Sequence, residues 1–583
     1  MGSIQDNSTP FPFQHRSVDT PRKLRIAIIG AGVSGIGLYI RFRQYVPSAE
    51  LQIFEKNSDV GGTWFENRYP GVACDIPSHV YQYTFEPNTQ WSKFFSGGAE
   101  ILDYVRGVAT KYGVQKSVSF NTRVFGATWN EIQGNWTVEF GDAAQKGRTE
   151  TQTFDVVISA VGNLNKWKYP EIEGLHDFEG KLLHSATWDP TWSVSKHSDS
   201  ASSSYRVRDY TNKTVALIGA GSSAIQILPH LQKKCTEVFH YTRGKTWVSE
   251  PFGGEATQAT IAGDKDSGNY SYTSEELRKF REDPEYYWRY RKNIERFINL
   301  DHPCLFAHEE ASIASKQRII ENMKTKLAKK PEIYAALEPE FTPGCRRLTP
   351  GPGFLEALVE DNVHFTNSKI VRVTKDSIIT ADGKIQKVDA IVCATGFDTT
   401  FLPRFPIKGS NNILLADQWS SHASAYLSTA IPNFPNLFLL GGPNSATGGG
   451  SLLIIFESII GYVVKCVQKI SREHIKYMAV KPSSLRSWER YMDAYFPGTV
   501  HVENCTSWYK AGQKDYKVVG LWPGSSLHAR KTLEFPRWED FEYVYPEAQD
   551  SLGWLGDGWT VADREKGDTA AYLDEVDYPP VLA

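Results

Sequence analysis

The stretch Leu24-Arg-Ile-Ala-Ile-Ile-Gly30-Ala-Gly32-Val33-Ser34-Gly35 begins with mostly apolar residues and ends in a glycine-rich turn. A buried strand that opens into G-x-G-x-x-G and then a helix presents backbone N–H groups to the pyrophosphate of a dinucleotide. The next strand ends at Glu55, about twenty residues after Gly35, where a carboxylate can accept hydrogen bonds from both ribose hydroxyls. The alternative, an ordinary tight turn, would need neither the helix nor the acid. We therefore predict a dinucleotide site here.

The same pattern occurs again where Thr214-Val-Ala-Leu-Ile218 precedes Gly219-Ala-Gly221-Ser222-Ser223-Ala224. Alanine at the third position is still small enough for the helix to pack closely on the strand. The following strand ends in Arg243-Gly-Lys245 and has no acid. A carboxylate would repel the 2′-phosphate of NADPH, whereas these cations would pair with it, so we predict NADPH as the second nucleotide. Alternatively, Arg243 is a solvated surface charge.

Each half of the chain also closes with a short apolar strand that ends in glycine, at 155–162 and at 389–396. One nucleotide-binding unit is thus inserted into another, and the predicted fold class is α/β with two Rossmann-like domains. We divide the chain into a disordered tail at 1–19, an FAD domain at 20–170 and 390–583, and an NADPH domain at 171–389. The last part of the FAD domain includes a C-terminal tail, and the NADPH domain carries a helical insertion at about 251–337.

Two further segments have a distinct composition. Serines crowd the stretch 191–212, which we predict to be a mobile loop. The stretch from Leu452 to Val467 is apolar but contains Glu457 and Lys465, so it predicts a buried helix and not a membrane span.

The composition excludes several classes of protein. The 583 residues, 41% apolar and 22% charged, predict a globular protein of two or three domains. The net charge of −3 gives no indication of nucleic-acid binding. The seven cysteines are scattered and show no C-x-x-C or zinc-type spacing, so we expect no metal and a reducing, cytoplasmic compartment. Two dinucleotide sites without C-x-x-C predict a flavin that passes electrons from a nicotinamide to an acceptor such as dioxygen.

Two longer motifs carry a family resemblance. The segment Gly61-Gly62-Thr63-Trp64 continues through Tyr69-Pro-Gly71 to Asp75 and fits [AG]-G-x-W-x-x-x-x-Y-P-[GM]-x-x-x-D. Between the two glycine turns, F-x-G-x-x-x-H-x-x-x-W-[PD] is matched by Phe178, Gly180, His184, Trp188 and Asp189. The chain resembles the Baeyer-Villiger monooxygenases from about Leu24 to Trp508. Its C-terminal segment is most similar to fungal members that act in polyketide pathways.

The resemblance implies that Arg347 is the catalytic residue. The family places this arginine in a K/R-R-L context before a helix, which Arg346-Arg347-Leu348 reproduces. It would lie over the flavin face where oxygen adds, and a fixed cation there would stabilise developing negative charge. Asp75 would hold and orient it. The alternative is a structural salt bridge.

The resemblance also implies roles for other residues. His184 would serve the junction between the domains and would not transfer protons. Trp508 would reach the nicotinamide ribose, and a place in the core is the alternative. The other residues expected at the cofactors are Lys56, Gly62, Thr63, Trp64, Arg346, Thr395 and Gly396.

The activity that the resemblance implies is a Baeyer-Villiger oxidation with FAD, NADPH and dioxygen, which converts a ketone to an ester or lactone, in fungal secondary metabolism. A flavin monooxygenase that oxygenates nitrogen or sulfur is an alternative, because it shares both glycine turns. Trp188, Asp189 and Arg347 favour the Baeyer-Villiger type. A flavoprotein that binds both nucleotides without turnover is a second alternative.

Overall fold

The computed structural model describes residues 11–144, 147–192, 210–252, 269–546 and 550–573. Residues 1–10 of the predicted tail, most of the predicted serine-rich loop and residues 253–268 of the predicted helical insertion lie outside these ranges.

The described strands are numbered in chain order. They are β1 (Arg25–Ile29), β2 (Glu50–Phe54), β3 (Val118–Ser119), β4 (Thr122–Asn130), β5 (Asn135–Asp142), β6 (Glu150–Phe154), β7 (Val156–Ser159), β8 (Lys181–His184), β9 (Thr214–Ile218), β10 (Glu237–Tyr241), β11 (Val248–Ser249), β12 (Thr349–Pro350), β13 (Val363–Thr366), β14 (Ile370–Val373), β15 (Ser377–Thr380), β16 (Ile385–Lys387), β17 (Ala390–Cys393), β18 (Ile407–Lys408), β19 (Leu437–Leu439), β20 (Tyr477–Val480) and β21 (Phe541–Val544).

The described α-helices are numbered in the same way. They are α1 (Val33–Tyr45), α2 (Thr63–Glu66), α3 (Gly98–Lys111), α4 (Ser222–Gln232), α5 (Ser274–Glu282), α6 (Pro284–Asn299), α7 (Glu310–Lys326), α8 (Pro331–Leu337), α9 (Phe354–Leu358), α10 (Leu415–Gln418), α11 (Leu452–Arg472), α12 (Pro482–Tyr495), α13 (Ser526–Thr532) and α14 (Val561–Glu565).

Two five-stranded parallel sheets form the framework of the molecule. The first has the order β19-β7-β1-β2-β3 and the second the order β13-β10-β9-β17-β8. Their central strands, β1 and β9, are buried runs of Ile, Val, Leu and Ala, as expected for parallel strands covered on both faces. Each central strand leads through a glycine turn into a helix, α1 or α4. The predicted α/β fold with two Rossmann-like units is confirmed.

Smaller sheets complete the two units. A mixed sheet, β18-β4-β5-β6, joins residues from before and after the second unit. An antiparallel sheet, β14-β15-β16, lies between β13 and β17 in chain order.

Strand β17 pairs with β9 and β8 of the second parallel sheet. The division at residue 389 is therefore misplaced, because the second sheet extends through Cys393.

The predicted helical insertion contains α5 to α8, and its two halves pack on different units. Buried residues of α5 and α6 belong to the core of the first unit, whereas Ile319, Met323 and Ile333 of α7 and α8 belong to the core of the second. His79 of the first unit is enclosed by rings of α5, α6 and the preceding residues, with Tyr287 OH at 2.9 Å from its Nδ1. The insertion therefore does not belong to the second unit alone, as the sequence division assumed.

The predicted disorder of residues 1–19 is wrong for the last part of this segment. The Val18 N–H donates to the Trp559 carbonyl at 2.9 Å, and the Asp557 N–H donates to the Arg16 carbonyl at 3.1 Å. The Asp19 carboxylate accepts from the Val561 N–H at 2.8 Å. The partner segment lies more than 500 residues further along the chain, so local composition could not reveal this pairing.

Helix α11 confirms the prediction of a buried helix after residue 451. One face packs on α1 so closely that a Cβ at Gly37 would lie 2.8 Å from Ile460 Cδ1. None of the helices in the described part of the chain has the length and apolar character needed to cross a membrane.

Candidate active site

The first glycine turn leaves no room for a side chain at Gly30 or Gly35. Gly30 has a φ of +110°, and a Cβ there would lie 2.6 Å from the Ala160 carbonyl oxygen. A Cβ at Gly35 would lie 1.9 Å from the Gly30 carbonyl oxygen, so the start of α1 can approach β1 only with glycine. A Cβ at Gly62 would lie 3.0 Å from Gly32 Cα. The two glycine segments thus form one narrow backbone cradle, which fits a pyrophosphate at the start of a helix.

Glu55 lies at the end of β2 beside this cradle and is 4% exposed. Its two carboxylate oxygens accept from the Ala31 and Asn57 N–H groups, each at 2.8 Å. Burial raises the pKa of Glu55, and these two hydrogen bonds oppose that effect. A carboxylate offers about four acceptor positions, so two remain for a ribose. The arrangement fits the adenosine half of FAD.

Other residues predicted at the first nucleotide surround the same turn. The Val33 carbonyl accepts from Tyr83 OH at 2.5 Å, and Ser34 is buried. Trp64 Nε1 donates to Tyr81 OH at 3.3 Å, and Thr63 begins α2. Lys56 forms an ion pair with Glu66, so its charge is partly neutralised in this structure.

The second glycine turn repeats the geometry of the first. Gly219 has a φ of +132°, and a Cβ there would lie 2.3 Å from the Ala394 carbonyl oxygen. His240 Nε2 donates to the Gly219 carbonyl at 2.8 Å, and burial lowers the pKa of this histidine to about 4. Ala224 is fully buried, whereas Gly221 has open space around it. Ser222 Oγ lies 2.8 Å from Thr349 Oγ1, and Ser223 follows it in α4.

Three cations gather beyond this turn. Arg243 and Lys245 are exposed, and Arg346 Nη1 donates to the Lys245 carbonyl at 3.1 Å. Arg346 Nη1 also lies 3.6 Å from the position of a Cβ at Gly244. Within the described residues, none of the three forms an ion pair with a carboxylate. This cluster offers an unpaired basic surface that fits the 2′-phosphate of NADPH.

The segment from Tyr69 to Asp75 connects the two units. Tyr69 OH donates to Gln226 Oε1 at 2.8 Å, and Gln226 Nε2 donates to the Ala73 carbonyl at 3.0 Å. A Cβ at Gly71, whose φ is +82°, would lie 2.5 Å from both the Gln226 carbonyl oxygen and the His230 ring. The Y-P-G part of the motif is therefore a close contact with α4 of the second unit.

Arg347 lies at the end of this segment. Its Nη2 donates to Asp75 Oδ1 at 2.8 Å, and its guanidinium carbon lies 5.5 Å from the centre of the Phe252 ring. Burial lowers the pKa of Arg347, but the Asp75 carboxylate and Tyr509 raise it by more than burial lowers it. The pKa of Arg347 therefore lies above its ordinary value. The side chains of Arg347 and Asp75 are 29% and 22% exposed. The guanidinium is thus a cation held by Asp75, and part of the Arg347 side chain remains accessible to a ligand.

Trp508 and Tyr509 begin a short 3-10 turn beside Arg347. Trp508 is half-buried, and a Cβ at Gly520 would lie 3.0 Å from its ring. Burial raises the pKa of Tyr509, and the positive charge of the neighbouring Arg347 opposes that effect. Sequence reasoning found Trp508 but missed Tyr509, whose contact with Arg347 joins residues far apart in the chain.

The fingerprint residues lie in the second unit and do not meet at Arg347. His184 Nδ1 accepts from the Ala186 N–H at 3.1 Å, and its Nε2 lies 3.3 Å from Thr395 Oγ1. The ring stacks on Trp167 at 4.5 Å, and burial lowers the pKa of His184 to about 4. Gly396 follows with a φ of +88°. A neutral histidine that stacks on Trp167 and lies next to Thr395, just after β17, fits the predicted place at the domain junction.

The other fingerprint residues contact one another or their neighbours. A Cβ at Gly180 would lie 2.5 Å from the Phe178 ring. Trp188 Nε1 donates to the Trp192 carbonyl at 2.8 Å. Asp189 pairs with Lys181, which lowers the pKa of Asp189 to about 2. These contacts stabilise the turn after β8.

A disulfide joins Cys345 to Cys505, with the two Cα atoms 6.3 Å apart. The other five cysteines, all within the described residues, form no disulfide. Sequence reasoning gave no signal for this bond, because its partners are 160 residues apart. Among the described residues, no group of three or more His, Cys, Asp or Glu side chains could hold a metal ion.

Known proteins are similar to this chain over most of its length. Residues 23–255 match the model of the flavin-binding monooxygenase-like family. The FAD-binding monooxygenase tazF of Aspergillus terreus is 38% identical over 561 residues, which is 95% of each chain. The chain belongs to this family of flavin-binding monooxygenases. A Baeyer-Villiger monooxygenase of Pseudomonas aeruginosa is 32% identical over 512 residues, covering 87% of this chain and 89% of the relative. The resemblance found in the sequence is confirmed.

Solved structures agree with the fold of this flavin-binding monooxygenase. A crystal structure of OTEMO in complex with FAD and NADP has a TM-score of 0.75 at 25% identity, covering 89% of this chain and 99% of that one. A closed structure of cyclohexanone monooxygenase also has a TM-score of 0.75, at 21% identity, covering 90% of this chain and 100% of that one.

Proposed function

We propose that this FAD- and NADPH-dependent monooxygenase inserts one oxygen atom of dioxygen beside the carbonyl of a ketone, and so produces an ester or lactone. The observation that carries the proposal is the Arg347–Asp75 pair, which lies where the two nucleotide-binding units meet. The relative from Pseudomonas aeruginosa, a Baeyer-Villiger monooxygenase, supports the same reaction class. The resemblance of the C-terminal segment to fungal members supports a place in secondary metabolism.

The chain's own residues suit the two cofactors. The cradle of Gly30, Gly32 and Gly62 with Glu55 would hold FAD, and the second turn with Arg243, Lys245 and Arg346 would hold NADPH. When bound, the flavin supplies the redox chemistry that links NADPH to dioxygen. Trp508 would lie against the nicotinamide half, and Thr395 with Gly396 would border the junction between the two nucleotides.

Arg347 is the residue that would contact the reacting atoms. A guanidinium fixed by Asp75 needs no reorganisation when negative charge develops on a neighbouring oxygen, and such preorganised charges contribute strongly to rate. The Nη2 atom of Arg347 donates to Asp75. The accessible part of the Arg347 side chain would contact the ligand. Arg347 stays charged at all working pH values, so it would act by charge and orientation and not by proton transfer.

Oxygenation of nitrogen or sulfur is the other candidate reaction. Both reactions share the nucleotide sites, and they differ in the demand for a cation beside the carbonyl adduct. The Arg347–Asp75 pair favours the ketone reaction, because the carbonyl adduct carries negative charge on oxygen, whereas a nitrogen or sulfur atom that takes up oxygen becomes positively charged and gains nothing from a neighbouring cation.

The direct test is incubation with NADPH, ¹⁸O-labelled dioxygen and a panel of ketones and thioethers, followed by mass analysis of the products. We expect esters or lactones that carry one labelled oxygen atom. Labelled sulfoxides without any ester would overturn the proposal in favour of heteroatom oxygenation. NADPH oxidation with release of peroxide and no labelled product from any compound would favour a protein without oxygenating turnover.

A further inference from the structure

Two segments that lie outside the α-helices and strands given above meet at Arg347. The first, residues 342–347, ends in Arg347 itself, and the second, residues 501–510, carries Trp508 and Tyr509. The Cys345–Cys505 bond links them, and both cysteines are buried. Cys345 is two residues from Arg347, and Cys505 is three residues from Trp508.

Hydrogen bonds join the same two segments at two other points. The Thr342 N–H donates to Glu503 Oε2 at 2.7 Å, and His501 Nδ1 donates to the Gly344 carbonyl at 3.0 Å. At the far end of the first segment, Arg347 lies close enough to Tyr509 for its charge to act on the pKa of the tyrosine. Within the second segment, the buried Lys510 donates to the Glu503 carbonyl at 2.7 Å. The disulfide is thus the covalent member of a continuous set of contacts.

The position of Arg347 depends on these contacts because no regular element carries it. No helix or strand includes residues 341–348, and the next strand, β12, begins at Thr349. A disulfide requires Cα atoms within about 4.4 to 6.8 Å of each other. While the bond is intact, the two segments cannot separate by more than a fraction of an ångström at this point.

We propose that Cys345 and Cys505 are positioning residues, whose disulfide holds Arg347 against the Trp508–Tyr509 turn so that consumption of NADPH is coupled to oxygenation of the substrate. This inference rests on the proposed function of Arg347. Neither cysteine touches the reacting atoms, and both act through the segments that they join.

The bond is broken by a dithiol such as dithiothreitol. A dithiothreitol thiolate attacks one sulfur, and the mixed disulfide is then resolved by the second dithiothreitol thiol. The enzyme gains two protons and two electrons as two thiols, while dithiothreitol becomes its cyclic disulfide. Alkylation of the unfolded chain followed by mass analysis should therefore count five modified cysteines before reduction and seven after it.

The test compares the FAD-loaded enzyme with Cys345→Ala/Cys505→Ala, and with Cys235→Ala/Cys466→Ala as a control that also removes two buried sulfurs. We expect both variants to retain FAD and to be reduced by NADPH at the wild-type rate. In the first variant, the yield of oxygenated product per NADPH should fall by about tenfold or more, with a matching rise in peroxide, since small displacements of catalytic groups have large effects. Dithiothreitol should reproduce this loss in the wild type, and reoxidation should reverse it.

Hydrogen–deuterium exchange of the enzyme without substrate gives a second readout that does not depend on activity. Peptides that contain Arg347 and Trp508 should exchange faster in Cys345→Ala/Cys505→Ala than in the control. Full coupling in this variant, with only a lower melting temperature, would overturn the inference, as would seven alkylated cysteines in enzyme purified without reductant. If the wild type oxygenates no ketone, the proposed function fails, whereas the exchange data still decide whether the bond positions Arg347.

Discussion

At the scale of single residues, substitution of Arg347 gives the most specific prediction. Arg347→Ala should keep FAD and accept electrons from NADPH, yet form oxygenated ketone product on the order of 100-fold more slowly, because one preorganised charge is lost. Arg347→Lys should be a poor substitute, since an ammonium lacks the planar fork that can donate to Asp75 and to the ligand together. Stopped-flow spectra separate flavin reduction from reoxidation, and product analysis gives the rate of oxygenation.

The Arg22–Asp155 pair offers a matched control for this prediction. Its side chains are 23% and 20% exposed, close to those of the Arg347–Asp75 pair, and it lies at the start of β1, away from the glycine turn. Arg22→Ala should lower stability and leave the product formed per NADPH unchanged. Near wild-type formation of ester or lactone by Arg347→Ala would show that Arg347 is structural.

Nucleotide preference gives a second prediction at the scale of single residues. We expect the enzyme to prefer NADPH to NADH, and Arg243→Ala/Lys245→Ala to raise the KM for NADPH by about 10- to 100-fold with little change for NADH, because charged hydrogen bonds to the 2′-phosphate are lost. Steady-state kinetics with both nucleotides measure this. Lys233→Ala/Lys234→Ala, two exposed cations at the end of α4, should have no such effect. Equal efficiency of the wild type with both nucleotides would contradict the assignment.

At the scale of secondary-structure elements, helix α6 carries a pH-dependent contribution to stability. Burial raises the pKa of Glu295 to about 7; Arg291 and Arg530 oppose this shift, and Glu457 adds to it. The folded state therefore binds more protons than the unfolded state between the ordinary pKa of 4.5 and about 7, so the free energy of unfolding falls as the pH rises through this range.

Glu295→Gln should remove this loss. The variant should gain about 1–3 kcal/mol in free energy of unfolding relative to the wild type at pH 8, and little at pH 5. Denaturant unfolding at several pH values measures the difference. Glu321→Gln on the exposed face of α7 is the control, and it should follow the wild type at every pH. A pH-independent difference for Glu295→Gln would contradict the raised pKa.

The elements also show what sequence alone can predict. The two strand–glycine–helix units were predictable because strand burial, positive φ and close helix approach are local requirements, as at Gly30 and Gly219. The Arg347–Asp75 pair came from a family motif. Tyr509, the Cys345–Cys505 bond and the contact of Arg16 with Asp557 could not be predicted, because each depends on tertiary proximity between distant parts of the chain.

At the scale of the whole molecule, the candidate site exists only because the two units meet. Asp75 belongs to the first unit, and the segment that leads to it rests on α4 of the second through Tyr69, Gly71 and Gln226. Arg347 lies in the segment between the helical insertion and β12, far from Asp75 in the chain. We therefore expect the position of Asp75 to depend on the distance between the two units. Among the described residues, no hydrogen bond or ion pair joins Arg347 directly to α4.

Gly71→Ala tests this dependence. Its Cβ would lie 2.5 Å from the Gln226 carbonyl oxygen and from the His230 ring, and its φ of +82° disfavours any side chain. The segment must therefore move away from α4, and we expect oxygenated product per NADPH to fall by about 10- to 100-fold while FAD stays bound, because Asp75 no longer holds Arg347 in place. Gly107→Ala in α3 is the matched control, since a Cβ there meets nothing within 4 Å, and alanine is favoured over glycine inside a helix. Product analysis and flavin absorbance measure both effects. If the two variants are equally active, the contact between the units is not what sets the geometry of the Arg347–Asp75 pair.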